Sequence, residues 1–359
     1  MATAVCCAVR YSAFFFPREN ELRRLVIAWL AVCLMAGCSR PPQEIALSGP
    51  AQGTVYNVKV AAAPPGVDAN AVRVAIDAVL DSVDRSMSGY RPDSEISRFN
   101  ASATTEWFDV SADLATVVAA SLEVSEASQG AFDITVAPLV ALWGFGPQGE
   151  PAGLPDAAAI REVQAYTGYR LLEVRREPAG LRKKDGRLTV DLNGAAPGFT
   201  VDKLSQRFLD MGLKHFMIDI GGEVLARGRN AQGEPWHIAV EKPTDARPEP
   251  YVILRLPDMS VTTSGEYRHY YRRNGQRYSH TIDPRTASPV QHDLLAVVVM
   301  GNTSLAIDCW ATALNVLGSE EGYTLATQRG IPAMFIVQDG ERLAKKMTPG
   351  FESHVIERP

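Results

Sequence analysis

The run LLAVVVM, Leu294 to Met300, contains no polar residue. Neighbouring side chains of a strand point to opposite faces, so an apolar run without alternation reads as a strand buried on both faces. Such a strand needs cover on each side, which few arrangements supply. Its flanks are equally informative. Upstream, Asn274-Gly275 is a two-residue hairpin signal that delivers His280 at the far end of the hairpin. Downstream, SLAIDCWATALNVLG reads as a helix started by Asn302 or Ser304 and stopped by Gly318.

The rest of the chain mixes the two periodicities. From Asp68, the residues Val72, Ile76, Val79, Leu80, Val83 and Met87 recur at three and four, which predicts an amphipathic helix. A second helix is capped by Ser111 and ends near Gly130, and a third spans residues 156–167. A fourth carries Val201, Leu204, Phe208 and Leu209 and closes at Gly212, and a last one runs near residues 320–329. The first strand is expected at 54–60. Residues 171–192 alternate like strands about a turn at Lys184-Asp185-Gly186. HFMIDIGGEVLARG reads as two strands parted by Gly-Gly, and WHIAVEKP, YVILRLP and IPAMFIVQ as further strands. No internal repeat and no second linker occur, so one α+β domain is the simplest architecture.

Two segments fit neither periodicity. Residues 87–100, MSGYRPDSEISRFN, read as a loop, either a surface connection or part of a site. Residues 130–147, GAFDITVAPLVALWGFGP, are too punctuated by Gly and Pro for one element and too apolar for a solvent loop. Their aromatics Phe132, Trp143 and Phe145 belong either to the core or to the wall of a pocket for a flat ring.

The N-terminus carries a targeting pattern. Arg23 and Arg24 precede LVIAWLAVCLMAG, an apolar run with the layout of a secretory segment and too short for a comfortable membrane span. The small pair Ala36-Gly37 before Cys38 resembles a bacterial lipobox, whose cysteine is lipidated. Residues 1–37 are thus expected to be a lipoprotein-type signal, 38–50 a Pro-rich tether and 51–359 the folded domain, held at the cell envelope facing the periplasm. A mature chain with only Cys38 and Cys309 has no disulfide framework. The net charge of −5 argues against nucleic-acid binding through bulk electrostatics.

On the helix from Ser304, residues Asp308, Ala311 and Thr312 lie on one face. A carboxylate and a hydroxyl in that arrangement can supply part of the hard oxygen shell that Mg²⁺ takes, or they can form a structural hydrogen-bond pair. His280 sits among Ser279, Thr281, Asp283 and Arg285, in a patch stiffened by Pro284 and Pro289. An imidazole there can take a proton from an attacking hydroxyl or give one to a leaving group. The loop DLNGAAPGFTVD leads into a helix and exposes backbone N–H groups suited to phosphate.

The blocks GTVYNV, MSGYRPDSEISRFN, GAFDITVAPLVALWGFGP, DLNGAAPGFTVD, IDIGGEVLARG, VTTSGEYRHYY, RYSHTIDPRT and DCWATALNVLG follow in this order from Gly53 to Gly318. Together they resemble the ApbE family of FAD:protein FMN transferases. The resemblance implies a single compact, T-fold-related α+β domain with mixed or antiparallel sheets and packed helices. It implies transfer of FMN from FAD to a threonine of an acceptor protein through a phosphoester, with release of AMP. FAD hydrolysis, or FAD binding as a flavin-donor accessory, are the alternatives.

By the same resemblance, Mg²⁺ is held by Asp308, Thr312 and the carbonyls of Ala311 and Gly194, and His280 is catalytic. FAD meets Gln52, Ser88, Gly89, Tyr90, Ala131, Phe132, Asp133, Asp191 and the region of Leu295. The acceptor is a membrane or periplasmic redox protein. The chain departs from the family pattern at Pro197 (usually Lys), Gln52 (usually Met) and Ala287 (usually Gly). Pro197 has neither an ammonium nor an N–H, so that contact, if made, falls to Lys203 or Arg285.

Overall fold

The computed structural model describes residues 44–356 except 147–148, 151–152, 245–248, 266–269 and 341. The signal segment, Cys38, Pro147 and residues 38–43 of the expected tether lie outside them. Residues 45–50 were expected to belong to the tether, but Ile45–Ala51 form strand β1, which pairs antiparallel with β2 (Thr54–Ala62). The alternating burial of β1 carries that pairing, with Ile45, Leu47 and Gly49 partly shielded and their neighbours exposed.

Helix α1 (Ala69–Met87) is capped by Asp68, and α2 (Glu95–Ala101) follows. Next come β3 (Phe108–Asp109), α3 (Ala112–Ala127) capped by Ser111, α4 (Ala137–Leu142) and α5 (Ala157–Gln164) capped by Asp156. The hairpin β4 (Leu172–Arg176) and β5 (Ala179–Lys183) leads to α6 (Ala196–Asp210). Strands β6 (His215–Ile220), β7 (Glu223–Arg227), β8 (Trp236–Glu241), β9 (Pro250–Leu256) and β10 (Ser260–Gly265) follow. Then come β11 (Tyr270–Arg273), β12 (Gln276–Ser279), β13 (Ile282–Asp283), β14 (Ser288–Pro289) and β15 (Leu294–Gly301). The described chain closes with α7 (Ser304–Arg329), β16 (Ala333–Asp339), β17 (Arg342–Met347) and β18 (Val355–Ile356).

The main sheet runs β1-β2-β6-β7-β10-β15-β16-β17, with every neighbouring pair antiparallel. The apolar run is β15, and both of its faces are covered. Val297 and Val299 pack with Ile307, Ala311 and Leu314 of α7, while Ala296, Val298 and Met300 pack with Trp236, Val252, Leu254 and Leu256 of the β18-β9-β8 sheet. Helices α1 and α6 cover the β1-β2-β6 end through Ile76, Leu80, Val201, Leu204 and Phe208. The architecture is α+β, with helices on one face of an antiparallel sheet and a small sheet on the other.

Three local expectations change. Residues 87–100 are not all loop, because Ser94 caps α2 by accepting from Ser97 N, and Ile96 and Phe99, three apart, are buried. In residues 171–192 the hairpin turns at Glu177-Pro178 rather than at 184–186, and no strand follows. Instead Leu188, Val190 and Leu192 are buried in irregular chain held by paired hydrogen bonds between Asn100 and Val190.

As expected, the helix from Ser304 is interrupted at Gly318, whose φ 76° and ψ −172° are not helical, and a second helical stretch runs from there to Arg329, the two together forming α7. Neither Asn302 nor Ser304 caps it. Thr303 takes the cap position with no side-chain bond, and Asp202 of α6 accepts from the N–H groups of Ser304 and Leu305 at 2.8 and 2.9 Å.

Candidate active site

The site is built where the start of α6 meets the start of α7. The two helices are held close at Gly198, whose N–H donates to Asp308 Oδ2 at 3.0 Å. A Cβ on Gly198 would lie 2.5 Å from the Ser304 carbonyl oxygen and 2.8 Å from Asp308 Cβ, so only glycine permits this approach. One turn along, a Cβ on Gly194 would sit 3.1 Å from Thr312 Oγ1 and 3.4 Å from Phe132 Cε2. Gly194 and Thr312 are thereby brought together beside Asp308 and Ala311; the helical spacing predicted the shared face of the last three, and the family resemblance predicted Gly194 beside them.

The Asp308 carboxyl is fully buried. Loss of water and the negative charges of Glu223 and Asp202 push its pKa well above the usual carboxylate range, against the Gly198 N–H. Glu223 opens β7 directly after Gly221 and Gly222, whose φ values of 64° and 112° make the tight turn from β6. It accepts from Thr262 Oγ1 at 3.2 Å, and burial pushes its pKa up to about 7. Among the described residues, no cluster of three or more His, Cys, Asp or Glu could hold a metal ion. The oxygen set here is of another kind. One buried carboxylate, one hydroxyl and backbone carbonyls suit a hard divalent cation, and such a cation would relieve the clustered negative charge.

The other predicted residues surround this junction. Gln52, at a positive φ of 48°, donates from Nε2 to Thr200 Oγ1 of α6 at 2.9 Å, while its Oε1 is buried without a partner. Asp191 N–H donates to the Ile134 carbonyl at 2.7 Å, which joins the loop before α6 to the segment of Ala131, Phe132 and Asp133. Ala131 packs with Leu294, Val297 and Ala311. Phe132 is buried yet lies beside Gly194, so it serves as core and as wall. Trp143 is core: it stacks on Tyr278 and donates from Nε1 to the Ala287 carbonyl.

Asp133 is occupied structurally. Its carboxylate accepts from Thr135 N, Thr135 Oγ1 and Tyr169 N, while burial raises its pKa. Leu295 occupies an irregularity in the β15–β16 register. Ser88, Gly89 and Tyr90 follow α1. Tyr90 is 86% exposed, and its backbone N–H donates to Ser88 Oγ at 3.3 Å.

His280 follows the β11–β12 hairpin, whose turn has Asn274 and Gly275 at φ 50° and 80°. Its ring meets Phe145 edge-on at 6.3 Å, and the next residue, Thr281, is reached by Asn315 Nδ2 at 3.5 Å. Asn315 lies three residues beyond Thr312 on α7, so the histidine segment and the oxygen cluster share one helix as their support. Neither residue suggested as a substitute for the missing lysine is spare. Lys203 pairs with Asp113, and Arg285 pairs with Asp283 and Glu321. Ala287 has a φ of 54°, a left-handed position that accounts for the glycine usual there.

Sequence reasoning missed Glu223, Asp202 and Asn315. Asn315 extends the 308-311-312 face by one turn, so its spacing could have been noticed. Glu223 and Asp202 reach the site only through the fold.

The family model described as "ApbE family" matches residues 52–335. The chain belongs to the ApbE family. A relative from Vibrio cholerae named FAD:protein FMN transferase is 37% identical, over 92% of this chain and 98% of its own. One of the same name from Klebsiella pneumoniae is 36% identical over 92% and 97%. Among solved structures, the flavin transferase ApbE of Vibrio cholerae superposes with a TM-score of 0.80 at 37% identity, covering 88% of this chain and all of that one. The apo flavinyl transferase ApbE of Pseudomonas stutzeri gives 0.79 at 37% identity, covering 87% and 96%. The ApbE fold here therefore extends through nearly all the described residues.

Proposed function

We propose that this protein is an FAD:protein FMN transferase that uses FAD as substrate and requires Mg²⁺. The observation that carries the reading is the meeting of Gly194 and Gly198 with Thr312 and a fully buried Asp308 flanked by further carboxylates. Asp308, Thr312 and the carbonyls of Ala311 and Gly194 would hold the cation. When bound, it offsets negative charge on the FAD phosphate oxygens.

His280 takes the proton from a threonine hydroxyl of the acceptor protein. The threonine oxygen forms a bond to the phosphorus of the FMN half, the phosphoanhydride bond breaks, and AMP leaves with the electron pair. Gln52, Asp191 and the Ala131–Asp133 segment border the dinucleotide site, with Phe132 as apolar surface for its ring system. Tyr90, free of packing, can stack on a flat ring once FAD is present.

The N-terminal pattern around Cys38 supports a lipid-anchored protein facing the periplasm, acting on a membrane or periplasmic redox partner. Among the described residues no helix is long and apolar enough to cross a membrane.

The test incubates the protein with FAD, Mg²⁺ and a threonine-bearing acceptor. Covalent FMN is read by mass spectrometry and AMP by chromatography. Transfer with stoichiometric AMP is expected, and it should fail for Asp308→Ala. AMP release without an acceptor adduct would mean FAD hydrolysis, and tight FAD binding with no AMP would mean an accessory role.

A further inference from the structure

Between β12 and β15 the chain lies against α7 and is fastened to it at several points. Asn315 Nδ2 reaches Thr281 Oγ1, His292 Nε2 lies 2.9 Å from the Asn315 carbonyl, and Ser319 Oγ donates to Asp293 at 2.9 Å. The most extensive fastening is Arg285. Its backbone N–H and Nε donate to Asp283 Oδ1 at 2.9 and 3.0 Å, and Nη2 donates to Asp283 Oδ2 at 2.9 Å. From the same guanidinium, Nη1 and Nη2 donate to Glu321 Oε1 and Oε2 at 2.7 and 3.3 Å.

One planar cation thus joins a buried carboxylate three residues after His280 to a carboxylate on the far half of α7. That half lies beyond the kink at Gly318, so the bonds to Asn315 and to Glu321 grip α7 on opposite sides of its break. A guanidinium satisfies two carboxylates in fixed directions, which a lysine ammonium cannot reproduce. The segment also has independent support, since Trp143 holds the Ala287 carbonyl and Ile282, Tyr278 and Ala287 pack with Leu139. Losing the Arg285 bridge would therefore shift the segment without unfolding it.

We propose that Arg285, anchored by Glu321, is a positioning residue for flavin transfer, setting the angle at which His280 meets the acceptor hydroxyl. The inference rests on the role given to His280 above. Small displacements of a reacting group can change a rate by up to about 100-fold.

The test measures kcat and FAD KM for full-length wild type, Arg285→Lys and Glu321→Gln, with FAD-binding stoichiometry and Tm as checks on folding. Glu321→Gln is the safer variant, because Glu321 lies on the surface and its loss leaves the Arg285–Asp283 pair in place. We expect kcat to fall ~10- to 100-fold in Arg285→Lys and roughly 3- to 10-fold in Glu321→Gln, with FAD KM and binding stoichiometry unchanged. Glu320→Gln, whose carboxylate pairs with Lys346, should match wild type.

Wild-type kcat in Glu321→Gln would overturn the proposal, since the far carboxylate would then not be the anchor. So would a loss carried by KM, which would make Arg285 a substrate contact, or a loss that follows the fraction of folded protein. Failure of wild type itself to transfer flavin would instead refute the functional reading.

Discussion

Glu223→Gln should stabilise the cation-free protein, and by an amount that depends on pH. Burial lifts the Glu223 carboxyl from 4.5 to about 7, so the folded state keeps a proton that the unfolded chain has already released. The sign follows from that difference. Below about pH 4.5 both states are protonated and the group is neutral in the balance. Between about 4.5 and 7 the folded state binds more protons, so stability is lost as pH rises, and above about 7 the full penalty applies. The penalty is about 3 kcal/mol, set mainly by burial with a smaller part from the Asp219 charge, and an ionised Glu223 in turn raises the pKa of Asp308.

Glutamine keeps an oxygen for the Thr262 hydroxyl and never ionises. We therefore expect Glu223→Gln to match wild type at pH 4.5 and to exceed it at pH 8.5 by about 3 kcal/mol, or roughly 6 °C in Tm. The assay is thermal unfolding in EDTA across this range, repeated with excess Mg²⁺. Saturating Mg²⁺ should shrink the advantage, because a bound cation favours the ionised carboxylates. A Tm difference that is flat with pH, or one that favours wild type at pH 8.5 in EDTA, would refute the reasoning.

Asp308→Asn should remove most of the dependence of transfer on Mg²⁺ concentration along with most of the activity, while raising Tm in EDTA at pH 8; titration of transfer rate against Mg²⁺ checks this. Gly198→Ala forces a methyl into the Ser304 carbonyl and should cost about 1–3 kcal/mol in urea unfolding, with weaker FAD binding because α6 and α7 are pushed apart. Asp202→Ala removes the cap of α7 and should cost about 1–2 kcal/mol, partly offset by loss of a negative charge near Asp308, so the net loss should be smallest at high pH.

The elements that sequence reasoning placed well are those whose signal is local and repeated. LLAVVVM needed no partner to announce two covered faces, and Asn274-Gly275 specified its turn because both positions take positive φ. The same holds for α1 and α3, with caps at Asp68 and Ser111 and unbroken apolar stripes. What failed was short or depended on distant chain. Helix α2 has two buried residues and one cap, too little to stand out in a segment that otherwise reads as turn. β1 is an edge strand whose alternation was masked by the prolines before it and at Pro50. The cap of α7 could not be found near Thr303, because it comes from Asp202, about a hundred residues earlier.

The same distinction separates the parts of the site. Asp308, Ala311 and Thr312 were legible because a helix converts spacing into a shared face, whereas the loop at Gly194 read by itself only as a turn suited to phosphate, and its place beside Thr312 came from the family resemblance. Their electrostatics were not legible. Whether Asp308 is an ordinary salt-bridging aspartate or a buried acid among like charges depends on Glu223 of β7 and Asp202 of α6, which reach it only through the fold. Clustering of like-charged carboxylates, which Arg227 relieves only at Asp202, lowers the stability of the free protein, and a cation-dependent site can hold such a cluster because binding energy returns what folding lost. This fits the way α6 is pinned to α7. The Gly198 N–H and the Asp202 cap hold both helix starts in place around Asp308, so the positions of Asp308, Ala311 and Thr312 are set by the fold itself.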